Sequence, residues 1–514
     1  MRTYKSPTRR DFLRRSACTG MGLTGVVNTL AHLRLTGAAL AADPPGEAGY
    51  KALVCLYQGG GVDSNNILVP RSGTARNHYA NARGILTLDT ADLHNISPAT
   101  NTAGSTYAPA FGIHPEGKHI ADLFDAGHLS FVCNVGTLAH PVVDRDGYQS
   151  GTIPLPPQLF SHSDQSKQWQ ATTADGQFLA GWGGRAADLL NAAYNAPGAS
   201  KISTSVSIAG INDFQVGLDP ATSQYALTTN GAISLSGYGS NYSNALRDPA
   251  VPDSYYNNDN GDRLRAFQSV MDMTHSSLLE EAYNKTVRNA RATEGVVGSA
   301  LEAAANSGVD FDATFAPAVD YLDNETKLGR QLKMVAKLIA GRGTLGNNRQ
   351  IFFVRIGGHD THIAQGTTNN ATGHPKLVLE LSGALKAFHD TLTALGVADQ
   401  VTTFTATDFN RTLTPNKSDA TAGSDHAWGG HPIVMGGAVN GGELYGHFPS
   451  LRLGTDMDAQ GSRGRWVPTT SVDQYAAVLS RWMGLTDEHI ATIFPNLHRF
   501  DNPFTTASAN LAFL

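Results

Sequence analysis

Cysteine is nearly absent, three in 514 residues. Cys18 falls in the N-terminal segment. Cys55, in "LVCLY", and Cys133, in "FVCNV", sit in apolar runs, where a thiol packs as a small hydrophobe. A disulfide scaffold is excluded. Charge is also sparse, 16% of residues, with 38 basic against 44 acidic. Without a basic excess the chain lacks the electrostatic footprint of a nucleic-acid binder. No apolar stretch is continuous over the ~18 residues that a membrane span needs. "YQGGGVD" lacks the G-x-G-x-x-G spacing of a dinucleotide fingerprint, and Pro70 soon follows. No G-x-S-x-G elbow lies near a triad-like set, which argues against an α/β-hydrolase.

What is present begins with a leader. "SPTRRDFLRRSACTGMGLTGVVNTLAHLRLTGAALAAD" carries Arg9 and Arg10, then Phe12 and Leu13, a mildly apolar stretch and Ala39-Leu40-Ala41. The pattern reads as a twin-arginine export signal over residues 1–41. The twin-arginine export machinery is therefore an expected partner, and the mature chain is expected in the periplasm or outside the cell. Cleavage removes seven basic residues and one acidic one, so the net charge of −6 becomes −12. Such a chain repels DNA and anionic lipid.

Residues 42–514 read as one α/β domain. Apolar runs at 52–57, 129–133, 351–356 and 432–439 have the apolar character of buried strands, and "VTTFTA" at 401–406 reads as another strand. Helical periodicity separates them, as in "PKLVLELSGALKAFHDTLTALG". Alternating strands and helices predict a doubly wound, mostly parallel sheet flanked by helices. Residues 200–345 are expected as a loop-rich and helical insertion. No internal repeat appears.

Ligands of such sheets sit beyond the carboxyl ends of the strands, and polar residues cluster there. Asp63 follows the first run. "RIGGHDTHIAQ" places Asp360 and His362 after the run at 351–356. "TDFNRT" places Asp408, Asn410 and Arg411 after the next. "GSDHAWGGH" adds Asp425, His426 and His431. Carboxylate with imidazole suits zinc, manganese or iron, whereas all-oxygen sets suit calcium or magnesium. One or two divalent ions are expected, and two ions ~3.5–4 Å apart would polarise a phosphoryl-type centre. "FSHSDQSKQW" reads as an N-capped helix. Ser161 at its start is a candidate nucleophile or a plain cap, with Ser163 as rival for either role. His114, His119, His128 and His140 read as helix or loop residues rather than ligands.

The segments "TRRDFL", "GGGVDSNNILVP", "HPEGKHIADLFDAGHLSFVCNVG", "SHSDQSKQWQ", "GGHDTHIAQ", "TATDFNRTLTPN" and "GSDHAWGGHPIVMGGAVNGGELYGHFP" resemble domain-of-unknown-function family 1501. That family is related to the alkaline phosphatase/sulfatase superfamily. The resemblance implies an alkaline-phosphatase-like fold with metal bound at strand ends. It implies Asp63, Asp360, His362, Asp408 and His426 as metal ligands and Ser161 in the nucleophile position. The superfamily pairs Asp with His where this chain has Asp408-Phe409, which removes one imidazole. C-x-P-x-R and S-x-P-x-R are absent, so a formylglycine sulfatase is not expected. The reading is a metal-dependent hydrolase of phosphate or sulfate esters, with Arg411 stabilising the anionic group as a fork-shaped donor. The alternative is a non-catalytic envelope or extracellular binding protein on the same fold, with a polysaccharide-like ligand or a partner protein.

Overall fold

Along the first apolar run, side chains alternate between two cores. Ala52, Val54 and Leu56 enter one, and Leu53, Cys55 and Tyr57 enter the other, the period of two that a strand imposes. In a computed structural model, this run is strand β1, Lys51–Gln58. The structure describes residues 49–514 apart from 102, 104–107, 143, 177, 196–199, 220–221, 233–244, 248–253, 274–277, 370–372 and 455–456. The leader expected at 1–41 and much of the Gly/Ser/Asn/Tyr-rich stretch lie outside the described residues.

The other strands of the main sheet are β2 (Leu129–Cys133), β3 (Ser205–Ser207), β4 (Tyr225–Ala226), β5 (Arg349–Ile356), β6 (Val401–Thr407), β7 (Ile433–Met435) and β8 (Leu444–Gly446). Their spatial order is β8-β2-β7-β6-β1-β5-β3-β4. Pairing is parallel except where β7 runs antiparallel to both β6 and β2. The expected doubly wound, mostly parallel sheet is thus present. Cys55 and Cys133 are free and buried.

The helices that cover the sheet are α1 (Lys118–Asp125), α2 (His162–Ala171), α3 (Trp182–Tyr194), α4 (Leu278–Ala305), α5 (Lys327–Ala340), α6 (His374–Ala394) and α7 (Val472–Trp482). Helices α1, α4, α5 and α6 share a core with the Val54 face of the sheet, through residues such as Phe124, Val297, Leu332 and Phe388. Helices α2, α3 and α7 cover the Cys55 face with Trp169, Leu190 and Tyr475. Full burial of each such large apolar side chain contributes ~1.5–3 kcal/mol, so both layers are held firmly. Within 200–345, β3 joins the sheet beside β5 and α5 packs on it. That stretch therefore supplies central layers as well as an insertion. No helix among the described residues is long and apolar enough to cross a membrane.

Register places the site. Gln58, the last residue of β1, stands opposite Ile356 of β5 and Thr407 of β6. Three adjacent strands therefore release their loops at one level of one sheet edge. Gly59 N–H then bonds the Ile356 carbonyl, and Val62 pairs with Asn410. The three loops are stitched together before any functional side chain is considered.

Candidate metal centre

The turn Gly59-Gly60-Gly61 sets how closely the loops approach. Gly60 has φ +114° and Gly61 φ +77°, a backbone region that L side chains avoid. A Cβ on Gly60 would lie 2.5 Å from the Asp360 backbone nitrogen, and one on Gly61 would lie 2.4 Å from the Phe409 ring. Glycine lets the loop after β1 lie against the loops after β5 and β6. The carbonyls of that turn then receive Arg411, whose Nε donates to Gly61 and Nη2 to Gly60, while Nη1 donates to Ser424. Arg411 also donates to Asp360 Oδ1.

Asp360 Oδ1 is the focus of the site. The Nε2 atoms of His362, His162 and His426 lie 3.1, 3.4 and 3.6 Å from it. His162, Asp360 and His426 offer ligand atoms that all lie within 4.8 Å of one another. His362 Nε2 is 2.9 Å from His426 Nε2.

Each imidazole is oriented from behind by an oxygen. His162 Nδ1 donates to Asp408 Oδ2 at 2.6 Å, His362 Nδ1 to Asp425 Oδ1 at 3.0 Å, and His426 Nδ1 to the Phe160 carbonyl at 2.7 Å. A carbonyl or carboxylate oxygen only accepts, so the proton of each neutral ring sits on Nδ1. The Nε2 lone pairs are thereby turned toward Asp360. This is the arrangement in which imidazole binds metal, with a second oxygen fixing the tautomer behind it. His162 Nε2 is buried with no hydrogen-bond partner.

The carboxylates behind the rings are themselves held. Asp408 Oδ1 receives the Tyr57 hydroxyl, and Oδ2 receives the Gly60 N–H in addition to His162. Tyr57 in turn contacts Ser166 of α2. Burial, and then the Asp408 charge, push the Tyr57 phenol well above its ordinary range, so it remains a donor. Asp425 also accepts from Arg463 Nη1 at 2.6 Å. Burial alone would raise the Asp425 carboxyl, but Arg463 and Asn416 outweigh it and hold the group low. At Asp360 burial is likewise outweighed, here by the bond to and charge of Arg411. Burial, with the neighbouring Arg411 charge, lowers His426. A neutral imidazole beside an ionised carboxylate is the protonation state a divalent ion requires.

Phe409 lies beside two of the rings, 4.7 Å from His162 and 4.6 Å from His426 by centroid, while those two rings are 4.4 Å from each other. It is buried and packs against both at a tilt of about 35°. The residue directly after Asp408 therefore forms an apolar wall beside two of the rings.

The expected residues do not all meet. Asp360, His362 and His426 converge. Asp408 is one step back, its two oxygens occupied by Tyr57, Gly60 and His162. Asp63 is paired elsewhere: Arg83 and the Gln365 amide both donate to its Oδ2, and both partners of the ion pair are fully buried. Ser161 is the N-cap residue of α2 by position, but its side chain makes no capping bond. Its hydroxyl instead donates to Asp164 Oδ2 at 2.5 Å, and Ser163 does so at 3.1 Å. Arg411 is 0% exposed and serves Asp360, which is 50% exposed. His431 accepts the Asn134 N–H and stacks on Phe448, apart from the cluster. His162 was not anticipated. It stands between the two serines of "FSHSD", as the first residue of α2, and the capping pattern there drew attention to the hydroxyls instead.

The residues present fit a divalent ion. At metal–nitrogen distances of ~2.0–2.1 Å, two neighbouring imidazole nitrogens on one ion lie ~2.9–3.4 Å apart, a range that includes the His362–His426 separation.

No curated protein matches the chain. Among solved structures, the PsFucS1 sulfatase from Pseudoalteromonas sp. shares 12% identity, with 94% of this chain and 77% of that chain covered and a TM-score of 0.32, a likeness too slight to carry an argument. The match to the family profile is of another order: it runs from residue 50 to residue 489, and the chain belongs to the DUF1501 family, proteins of unknown function.

Proposed function

We propose that His162, Asp360, His362 and His426 hold a divalent metal ion in an exported hydrolase of phosphate or sulfate esters. The observation that carries this reading is the contact between His362 Nε2 and His426 Nε2 at 2.9 Å. With both rings neutral and their protons on Nδ1, two lone pairs face one another. A cation held by both nitrogens relieves that repulsion, as would a second proton on one ring.

Bound there, the ion would supply Lewis acidity at the ester and a nucleophile at neutral pH. The protein's own residues would do the rest. Asp408, Asp425 and the Phe160 carbonyl fix the tautomers of the three imidazoles. Arg411 places a permanent positive charge behind Asp360, which favours an anionic ester at the exposed side of that carboxylate. Arg463 and Arg465 extend the positive charge beside Asp425 and His426. Phe409 shields one side of the His162 and His426 rings from water. Ser161 remains the candidate nucleophile, with Asp164 as the acceptor that orients its hydroxyl.

The test is elemental analysis of protein purified from the exported fraction without chelator. About one equivalent of zinc, manganese, iron or calcium is expected, lost in both Asp360→Ala and His426→Ala. A screen of phosphate and sulfate esters should then find turnover that the two variants lack. Equal metal content in wild type and both variants would overturn the site.

A second reading, a non-catalytic exported binding protein, draws on one observation. Arg411 already donates to Asp360 Oδ1, so the carboxylate is neutralised without an added ion. Wild-type protein that binds no metal and hydrolyses no ester would favour it.

A further inference from the structure

We propose that Phe160 is a positioning residue, whose left-handed backbone aims its carbonyl at His426 Nδ1 and thereby keeps the His426 Nε2 lone pair on the cluster. This rests on the metal reading given above.

Phe160 has φ +71°. An aromatic side chain disfavours that conformation, and such strain persists only where the surroundings over-determine it. Here three contacts do so. The Phe160 N–H donates to Gln165 Oε1 at 2.6 Å. Gln165 lies one turn into α2, and its amide donates to Thr137 Oγ1 at 3.1 Å. The Phe160 ring lies under the Arg465 guanidinium at 4.8 Å. Arg465 Nε in turn donates to the His426 carbonyl at 2.9 Å. The remaining polar atom of the residue, its carbonyl oxygen, meets His426 Nδ1 at 2.7 Å.

The strained residue is thus clamped from α2 on one side and, through Arg465, from the His426 segment on the other. It also precedes His162 by two positions. One turn of backbone therefore fixes one imidazole directly and leads into the helix that carries another. A glycine would adopt this conformation without strain, but it would offer Arg465 no ring. Backbone carbonyls are less conspicuous than Asp408 and Asp425, yet this one does for His426 what those carboxylates do for His162 and His362.

The experiment reads tautomers and affinity without any substrate. Histidine nitrogens are labelled with nitrogen-15, and the protonation of Nδ1 and Nε2 is read by NMR on metal-free protein. Zinc affinity is then measured by chelator competition. Wild type should show His426 protonated on Nδ1. Phe160→Val, whose β-branch disfavours the left-handed region, should move the proton to Nε2 and weaken zinc binding ~10–100-fold, the range for losing an outer-shell partner. Phe160→Gly retains the carbonyl and its conformation, and should keep the wild-type tautomer with about the wild-type affinity. Gln165→Leu, which releases the Phe160 N–H, should resemble Phe160→Val.

A His426 proton on Nε2 in wild type would overturn the proposal. So would a Phe160→Val variant with unchanged tautomer and zinc affinity, which would leave the metal reading standing. A tautomer that shifts as described, in proteins none of which bind zinc, would support the positioning role and sink the metal reading instead.

Discussion

Asp63 and Arg83 form a fully buried ion pair beneath the sheet edge. Arg83 also donates to Asn66 Oδ1 and to the Thr412 and Leu413 carbonyls. Burial lowers its pKa to about 9. The pair ties the loop after β1 to the segment after β6. Asp63→Ala would leave a buried, unpaired cation, and a loss of ~3–5 kcal/mol in folding stability is expected. Replacing both partners, Asp63→Leu with Arg83→Met, should cost less. Chemical denaturation measures both. Metal content in the surviving folded protein should equal that of wild type. A lost equivalent of metal in a well-folded Asp63 variant would restore Asp63 as a direct ligand.

Asp408 separates an outer role from a ligand role. Asp408→Asn keeps the shape but cannot accept from Tyr57, Gly60 and His162 together. Zinc affinity is expected to fall ~10–100-fold while the number of ions bound at saturation is unchanged. Isothermal titration reads both quantities. A reduced stoichiometry would mean that Asp408 binds metal itself.

Asp473 gives the fold a pH dependence. It lies in the first turn of α7, and burial, offset in part by Arg185, raises its pKa to about 8. In the unfolded chain the same carboxyl titrates near ~3.9. Between those values the folded protein holds a proton that the unfolded chain has lost, so stability falls as pH rises through this interval and levels off above about 8. Thermal melts from weakly acid to weakly alkaline pH should show that decline in wild type and a flatter profile in Asp473→Asn. Parallel profiles would mean that the carboxyl is ionised in the folded protein.

The expectation that residues 1–41 are a twin-arginine signal makes a separate prediction. Replacing Arg9 and Arg10 with lysine should leave a longer precursor in the cytoplasm, visible by fractionation and immunoblotting. Unchanged export of the double variant would assign the segment to another route or to none.

Much of the architecture was legible in the sequence. The strands at 52–57, 351–356 and 401–406 are buried nearly throughout because helices cover both faces, and each was expected as a strand. Asp360, His362 and His426 were legible because polar residues directly after such runs emerge at a sheet edge. Asp63 pairs with Arg83, 20 residues on, and nothing local reveals that partner. His162 is not legible in "FSHSD", where Ser161 and Ser163 carry the local capping pattern, because its imidazole meets distant residues, Asp408 and Asp360.

Composition, the apolar runs and the glycine turn at 59–61 determined the layers, the sheet edge and the loops that can carry chemistry, because burial and backbone freedom are properties of short stretches. The tertiary structure alone decided which nitrogen of each imidazole is free. His162, His362 and His426 take their orienting oxygens from residues 246, 63 and 266 positions away. A tautomer follows from such a hydrogen bond, and at these separations only the folded chain brings donor and acceptor together.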